Sequence, residues 1–256
     1  MSGRVALVSG GAQGIGAAVV RTLAAGGHDV ALLDLDTERG ERLAAEVSRA
    51  TGAGVLFVGA DVRRADEVQA AVETVTARFG RLDVLVNNAG RNAYHDAASM
   101  TETEWDEVFS VDLKAVWLLC RAALPHLVSG DAGAIVNVSS IHARLTTAGM
   151  FPYAAAKAGV EGLTRSLALD CARDGVRVNA VAPGWTRTHL VDEWLARQPD
   201  PEAAMARVDA AHPLGFIAEP ADVAAVIAFL ASPAARAVTG SVYAVDCGLS
   251  ATFSVG

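Results

Sequence analysis

The residues of this chain best suited to chemistry are Ser140, Tyr153 and Lys157. Tyr153 and Lys157 are four residues apart, and one turn of helix places such a pair on the same face. A phenol has a pKa of about 10, and a neighbouring ammonium lowers that pKa toward the range of a general base near neutral pH. A serine hydroxyl at the same place could hold a substrate oxygen. Together these residues could transfer a proton to or from an alcohol. Tyrosine and lysine also meet at this spacing on many surface helices, so this interpretation needs further support.

A glycine-rich segment provides such support. Residues 5–8 are an apolar run typical of a strand buried on both faces, and a helix-like stretch ends at residues 26–27. Strand, glycine turn and helix form the first half of a dinucleotide-binding unit, where the helix N-terminus binds a pyrophosphate. The spacing is Gly-x-x-x-Gly-x-Gly instead of the standard Gly-x-Gly-x-x-Gly, and a flexible turn is the alternative. The candidate cofactor contacts here are Gly10, Gln13, Gly14, Ile15 and Gly16.

The second apolar run, residues 30–33, ends at Asp34. A carboxylate at this place accepts hydrogen bonds from the adenosine ribose and repels the 2′-phosphate of NADP. No arginine or lysine stands within the glycine loop or directly after Asp34 to bind that phosphate. These features predict NAD as the cofactor, although Asp34 could also be a simple turn residue.

With these motifs, the chain resembles the short-chain dehydrogenases/reductases over essentially all of its length. Residues 9–16 are similar to the glycine loop of that family, with serine where threonine is usual. Residues 87–90, Asn-Asn-Ala-Gly, match the motif that ends the fourth strand beside the cofactor, and Ser140, Tyr153 and Lys157 fall at the catalytic positions. The resemblance implies a further set of cofactor contacts: Asp61, Val62, Asn88, Ala89, Gly90, Tyr153, Lys157, Pro183, Gly184 and Thr188.

The chain departs from the family pattern at two positions. Asp112 stands where the family usually has an asparagine that helps to hold a water in the proton relay. A carboxylate can still accept from that water, so Asp112 joins the candidate catalytic residues, but its charge should hold Lys157 protonated and oppose the Tyr153 phenolate. Cys247 stands where the family more often has glycine, and we expect a small buried residue there.

Alternating elements predict an α/β fold. Strand-like runs at 5–8, 29–33, 55–58, 82–87, 134–138, 177–181 and 242–245 alternate with helical stretches near 15–26, 37–51, 65–79, 102–128, 153–173 and 220–231. This order predicts a doubly wound parallel sheet of seven strands, a Rossmann fold, in a single domain covering residues 1–256. Residues 187–213 contain no clear element and are predicted to be a substrate lid of short helices.

Composition narrows the possible partners. The formal net charge of −8 and the absence of a basic cluster argue against nucleic acid. Three scattered cysteines without metal-ligand spacing suit a reducing cytoplasm and predict no metal site. The most apolar helix, near 113–128, carries charged residues and is not predicted to span a membrane. Apolar helix faces favour self-association, and the family resemblance implies a homotetramer.

The substrate is predicted from polar residues around the expected pocket. Hydrogen-bonding groups and one aromatic residue follow the Asn-Asn-Ala-Gly motif, the catalytic serine and the Pro-Gly pair, and their cluster suits a polyhydroxylated ring. An aldose or related cyclic polyol is therefore the leading small-molecule substrate, although each side chain alone could equally face solvent. The candidate substrate contacts are Asn92, His95, His142, Trp185 and His189.

Two other functions stay open at this point. One is reduction of a ketone or 3-oxoacyl thioester, which predicts NADPH use and a basic docking surface; Asp34 and the acidic net charge disfavour both. The other is a catalytically idle NAD-binding protein, which the intact Ser140, Tyr153 and Lys157 disfavour. Asp112 is the feature that keeps this second alternative open.

Overall fold

The computed structural model describes residues 3–128 and 132–252, and these form alternating strands and helices. The strands are β1 Val5–Ser9, β2 Asp29–Asp34, β3 Val55–Gly59, β4 Val84–Asn87, β5 Ala134–Val138, β6 Arg177–Pro183 and β7 Val242–Val245. The α-helices are α1 Gly14–Ala25, α2 Thr37–Thr51, α3 Ala65–Phe79, α4 Glu102–Phe109, α5 Ala115–Val128, α6 Tyr153–Cys171, α7 His189–Leu195, α8 Pro201–Ala211 and α9 Pro220–Ala231. The predicted α/β alternation is confirmed.

The strands form one parallel sheet in the order β3-β2-β1-β4-β5-β6-β7. The chain builds outward from β1 to β3, then crosses back and builds outward from β4 to β7. Such a sheet is doubly wound, as predicted, and its order reverses between β1 and β4. Ligands of open α/β sheets bind at the carboxyl ends of the strands beside that reversal.

The core consists of two apolar layers, one on each face of the sheet. Alternate residues of a strand point to opposite faces, so Leu7 of β1 packs in the layer of α3, α5 and α6. Its neighbours Ala6 and Val8 pack in the layer of α1, α2 and α9. Burial on both faces explains why the strands are continuous apolar runs in the sequence. The core therefore fixes the strand ends, and with them the loops that carry the candidate residues.

The helical stretch predicted at 102–128 is divided in the structure. A π-helical turn, Ser110–Lys114, separates α4 from α5, and Asp112 lies in this turn with no exposed surface. Single π-turns inside helices occur frequently at functional sites, because the extra residue turns one side chain away from the regular helical face. The apolar pattern of residues 102–128 does not reveal this interruption.

The predicted lid, residues 187–213, contains the two short helices α7 and α8. Its role as a lid stays a prediction, as does the domain boundary of 1–256, since residues 1–2, 129–131 and 253–256 lie outside the described part. Cys247 is partly exposed, contrary to the expected burial, and has a φ of 50° in the left-handed region that favours glycine.

Among the described helices, we find none that combines the length and the hydropathy needed to cross a bilayer.

Candidate active site

A cavity of about 780 Å³ lies at the carboxyl ends of the first six strands. It is lined by most of the predicted site residues, which the sequence separates widely. The predicted residues that line it are Gly10, Gln13, Gly14, Ile15, Asp34, Asp61, Val62, Asn88, Ala89, Gly90, Asn92, Asp112, Ser140, His142, Tyr153, Lys157, Pro183, Gly184, Trp185, Thr188 and His189. The fold thus brings together side chains from both halves of the sheet.

The glycine loop closes the space between β1, α1 and β4. A Cβ atom on Gly16 would collide with the carbonyl oxygen of Gly10, and a Cβ on Gly10 would lie 2.8 Å from the Cα of Ala89. Gly16 does not itself line the cavity in the described part of the chain; it permits the close approach of helix and loop. Gly14 has a φ of 54°, which glycine adopts without strain. The glycines therefore leave an open backbone cradle at the N-terminus of α1.

Hydrogen bonds fix this loop to the end of β4. The Asn88 side-chain amide donates to the carbonyl oxygens of Ser9 and Gly10 at 3.1 and 2.9 Å. In return, the Ser9 hydroxyl accepts from the backbone N–H groups of Asn88 and Ala89 at 3.0 and 3.1 Å. Ser9 can do so because its oxygen has two lone pairs. Serine in place of threonine thus keeps the link between the two loops.

The N-terminus of α1 is suited to an anion. Within the described residues, no side chain caps it, and its first turn holds no acidic residue. The helix therefore presents backbone N–H groups and the positive end of its dipole to the cavity. The Gln13 side chain instead accepts a hydrogen bond of 2.5 Å from Arg39 of α2.

Asp34 is held in a fixed orientation at the end of β2. One carboxylate oxygen accepts from the Ala12 N–H at 3.0 Å, and the other accepts from the Asp36 N–H at 3.1 Å. The fold also brings Arg39 near this place, 3.4 Å from the Asp36 carboxylate. The position of this cation was not predicted, because Arg39 belongs to the following helix α2 and is not directly after Asp34 in the sequence. Asp36 balances its charge, so the acidic character around Asp34 is retained.

Asp61 lies at the end of β3 and pairs with Arg63 at 2.6 Å. Hydrogen bonds from the Arg63 guanidinium, opposed by partial burial, lower the pKa of the Asp61 carboxyl. The pair lines the cavity with Val62 at the end reached by β2 and β3. These residues suit the adenosine half of a dinucleotide.

Tyr153 is the first residue of α6, and its ring is 9% exposed. The Lys157 Nζ atom lies 5.5 Å from the centre of this ring, on the same helical face, as its spacing predicts. Burial raises the pKa of Tyr153, whereas the Lys157 charge and the Ser140 hydroxyl lower it and the Asp112 carboxylate raises it further. The net direction is upward, opposite to the expectation from the Tyr–Lys pair alone. Burial outweighs the neighbouring cation.

Lys157 is buried and points toward Asp112. Its Nζ atom lies 3.3 Å from the Oδ1 atom of Asp112 and donates to the carbonyl oxygen of Val138 at 3.2 Å. Burial lowers the pKa of Lys157, but Tyr153 and Asp112 more than offset this effect, so the pKa is raised. Burial likewise raises the pKa of Asp112, although Lys157 and the Arg91 N–H oppose it.

The Asp112 carboxylate accepts at one oxygen only within the described structure. Oδ1 accepts from the Arg91 N–H at 3.2 Å and faces Lys157. Oδ2 is fully buried and has no hydrogen-bond partner among the described residues. Because the nearby groups at Oδ1 are donors, we assign Asp112 as a carboxylate.

The predicted substrate residues are placed differently from one another. Asn92 donates to the Tyr94 hydroxyl at 3.0 Å, and the ring of His142 packs edge-on against that of Tyr153, with centres 6.0 Å apart. Burial lowers the pKa of His142, which favours the neutral ring. His95 is not among the described residues that line the cavity; its ring lies 3.8 Å from Glu104.

Two basic residues near the predicted pocket also turn away from it. Arg144 bonds to the buried carboxylate of Glu161 at 3.0 Å, and Arg187 bonds to Glu219 at 3.1 Å. The polar cluster around the substrate end is therefore smaller than the sequence suggests.

Sequence reasoning missed several apolar side chains of the cavity, among them Ile141, Met150, Leu190, Val191 and Trp194. The last three share one face of α7, and their helical spacing is the signal that could have revealed them. Trp194 packs edge-on against Trp185, with ring centres 4.9 Å apart and planes at 72°.

No cluster of three or more metal-ligating side chains is present in residues 3–128 and 132–252.

Comparisons with known proteins identify related dehydrogenases and reductases. A family model described as enoyl-(acyl carrier protein) reductase matches residues 10–250. Cis-4-hydroxycyclohexanecarboxylate dehydrogenase of Sinomonas cyclohexanicum is 45% identical, covering 97% of each chain. L-fucose dehydrogenase of Mus musculus is 39% identical over 91% of this chain and 84% of its own. The structure of aldohexose dehydrogenase from Thermoplasma acidophilum superposes with a TM-score of 0.90 at 32% identity, covering 99% of this chain and 96% of the other.

Proposed function

Since the chain belongs to the short-chain dehydrogenase/reductase family and is thereby an oxidoreductase acting on CH–OH groups, we propose that it oxidises a secondary alcohol on a ring with NAD. The observation that carries this proposal is the convergence of Ser140, Tyr153 and Lys157 at one cavity beside the glycine loop. The relatives named for a hydroxycyclohexanecarboxylate, L-fucose and an aldohexose support a ring-borne hydroxyl. An aldose or cyclic polyol, as predicted from the sequence, belongs to this class.

The proposed roles follow from position and protonation. Ser140 and Tyr153 hold the substrate oxygen, and the Tyr153 oxygen takes the hydroxyl proton as general base. Lys157, kept as an ammonium by Asp112, favours the phenolate and passes the proton onward, with Asp112 as its positioning residue. When bound, NAD supplies the acceptor for the hydride.

The cradle of the glycine loop fits a dinucleotide. A Cβ at Gly10 would lie 2.8 Å from the Ala89 Cα and one at Gly14 would lie 3.4 Å from Thr188, so these glycines keep the loop close to its neighbours. The uncapped N-terminus of α1 suits a pyrophosphate. Asp34 would hold the adenosine ribose, and Asp61 with Val62 would flank the adenine. The nicotinamide half would be held by Asn88, Ala89, Gly90, Tyr153, Lys157, Pro183, Gly184 and Thr188.

Family members use nicotinamide cofactors, and we propose NAD in particular because of Asp34. Changing Asp34→Ala removes the ribose acceptor and the repulsion of a 2′-phosphate. We expect the ratio of kcat/KM for NAD to that for NADP to fall at least about tenfold, since one lost charged hydrogen bond is worth about that factor. Steady-state kinetics with both cofactors measure this ratio.

The control for that experiment is Asp170→Ala, the same truncation at an exposed position of α6. It should leave the ratio unchanged. A wild-type enzyme that already prefers NADP would contradict the role given to Asp34.

The reaction itself is tested by NADH formation at 340 nm. The panel contains aldoses, cyclic polyols, hydroxycyclohexanes, open-chain secondary alcohols and 3-hydroxyacyl thioesters, each with NAD over pH about 6 to 10, which brackets a shifted tyrosine. Turnover of ring alcohols above the other classes supports the proposal. Turnover confined to thioesters would favour the reductase alternative, and silence with intact NAD binding would favour the idle binder.

We also propose that the protein is a homotetramer of the cytoplasm. Trp117 on α5 and Leu169 on α6 are 45% and 80% exposed, and large apolar side chains on neighbouring helices suit a protein contact. Three free cysteines suit a reducing compartment. Light scattering measures the assembly directly.

A further inference from the structure

The cavity has an aromatic wall made of Trp185, which the sequence predicts as a substrate contact, and Trp194, which it does not. Trp185 follows β6, and Trp194 belongs to α7 in the predicted lid. Their rings meet edge to face, and both line the cavity while partly buried. Edge-to-face contact is a favourable arrangement of two aromatic rings, so each indole holds the other in place. The pair therefore forms a preorganised apolar surface at the substrate end.

Other apolar side chains line the same cavity as the two indoles. Leu190 and Val191 accompany Trp194 on α7, and Ile141 and Met150 lie on the segment that follows Ser140. A ring that packs here must present carbon and hydrogen to these side chains. Hydroxyl groups directed at them would lose water without gaining a hydrogen bond, which costs free energy.

The carboxylates of the cavity that could accept hydrogen bonds from sugar hydroxyls are either far from Ser140 or already paired with another residue. Of the described residues that line the cavity, the carboxylates are Asp34, Asp61 and Asp112. Asp34 ends β2, three strand positions from β5, which is about 14 Å at the usual strand spacing. Asp61 ends β3, one strand farther still. Asp112 is fully buried and already faces Lys157. A polyhydroxylated ring would therefore meet few strong acceptors near Ser140.

The sheet order places the Asn92 loop and the tryptophan pair on opposite sides of the reacting hydroxyl. β5 lies between β4 and β6, so the loops after β4 and β6 flank Ser140. The loop after β4 carries Asn92 and Tyr94, and the segment after β6 carries the two tryptophans together with Thr188 and His189, which also line the cavity. A substrate can thus place one apolar ring face on the indoles and a small number of polar groups on the other side.

We propose that Trp194 and Trp185 form the wall that receives the substrate ring, and that this wall selects a hydroxylated saturated carbocycle over a sugar. The inference rests on the proposed ring-alcohol dehydrogenase function and names its substrate class. Trp194 is accordingly a specificity-determining residue, positioned by the lid helix α7.

The experiment measures kcat and KM at saturating NAD for cyclohexanol, cis-4-hydroxycyclohexanecarboxylate, L-fucose and D-glucose. We expect kcat/KM for the better carbocycle to exceed that for either sugar by at least about tenfold, as one well-packed aromatic contact allows. Trp194→Ala should raise KM for the carbocycles roughly tenfold with little change in kcat, because the packing is made before the reaction.

Matched variants separate specificity from general damage. Trp194→Phe should keep the KM for the carbocycles close to the wild-type value, because the smaller aromatic ring can still pack against the substrate ring. Phe229→Ala removes a large aromatic side chain from a site on α9 that is 45% exposed and outside the described cavity lining, and it should leave kcat and KM for all four substrates unchanged. The Kd for NAD, measured by calorimetry, should be equal in wild type and the Trp194 variants.

The results also distinguish this inference from the function on which it rests. A wild-type enzyme that prefers the sugars would overturn the carbocycle inference and leave the dehydrogenase function in place. Wild-type values of the carbocycle KM in both Trp194→Ala and Trp194→Phe would do the same. Absence of NADH formation with every ring alcohol would overturn both.

Discussion

Replacing Tyr153 by phenylalanine should lower kcat by about three to four orders of magnitude, near the upper end of what a general base contributes. The variant removes the oxygen that takes the substrate proton and keeps the ring, which is 9% exposed and packed at the start of α6. The fold and the glycine cradle should therefore be retained. Turnover should be lost while NAD still binds.

The measurement is single-turnover and steady-state NADH formation, together with calorimetric NAD binding and thermal unfolding. Tyr243→Phe provides the matched control, since it makes the same change on β7, outside the described cavity lining. That control should keep wild-type kcat. A Tyr153→Phe enzyme with kcat within about tenfold of wild type would show that another group takes the proton.

Replacing Asp112 by asparagine should shift the pH profile of alcohol oxidation to lower pH by about one to two units. Two unit charges several ångströms apart interact by about 2 kcal/mol at an effective dielectric constant near 20, which corresponds to that shift. Asp112 raises the pKa of Tyr153 and of Lys157, so removing its charge lowers both. Because oxidation needs the phenolate, the acid limb moves down, and the variant is faster than wild type below the wild-type midpoint.

The test is kcat/KM for oxidation measured from pH about 6 to 10. Asp170→Asn removes the same charge from an exposed position on α6, about 20 Å along the helix from Lys157, and should not move the profile. Asparagine nearly matches aspartate in shape, so if the role of Asp112 were purely structural, the variant would keep the wild-type pH profile of kcat/KM. An unmoved acid limb, or one moved to higher pH, would exclude the electrostatic role of Asp112.

The sheet was predictable because its inner strands are buried on both faces. Residues 5–8 and 134–138 are continuous apolar runs, and helical stretches alternate with them along the chain. This local pattern specifies a parallel sheet covered by helices without any knowledge of contacts. The division of 102–128 was not predictable, because no glycine or proline stands between α4 and α5 to mark the π-turn. The π-turn is recognised only in the tertiary structure, where it directs Asp112 toward Lys157.

The amino-acid sequence by itself determined the candidate reaction: residue types and short spacings identify the glycine loop, Asp34 and the Tyr153–Lys157 pair, because turns, strands and single helical turns obey local rules. Burial and long-range contacts were decided by the tertiary structure. It reversed the expected pKa direction of Tyr153, brought Arg39 to Gln13, placed His95 beside Glu104, and set Trp194 against Trp185. Desolvation and side-chain direction depend on every element packed around a residue, and no local spacing encodes them.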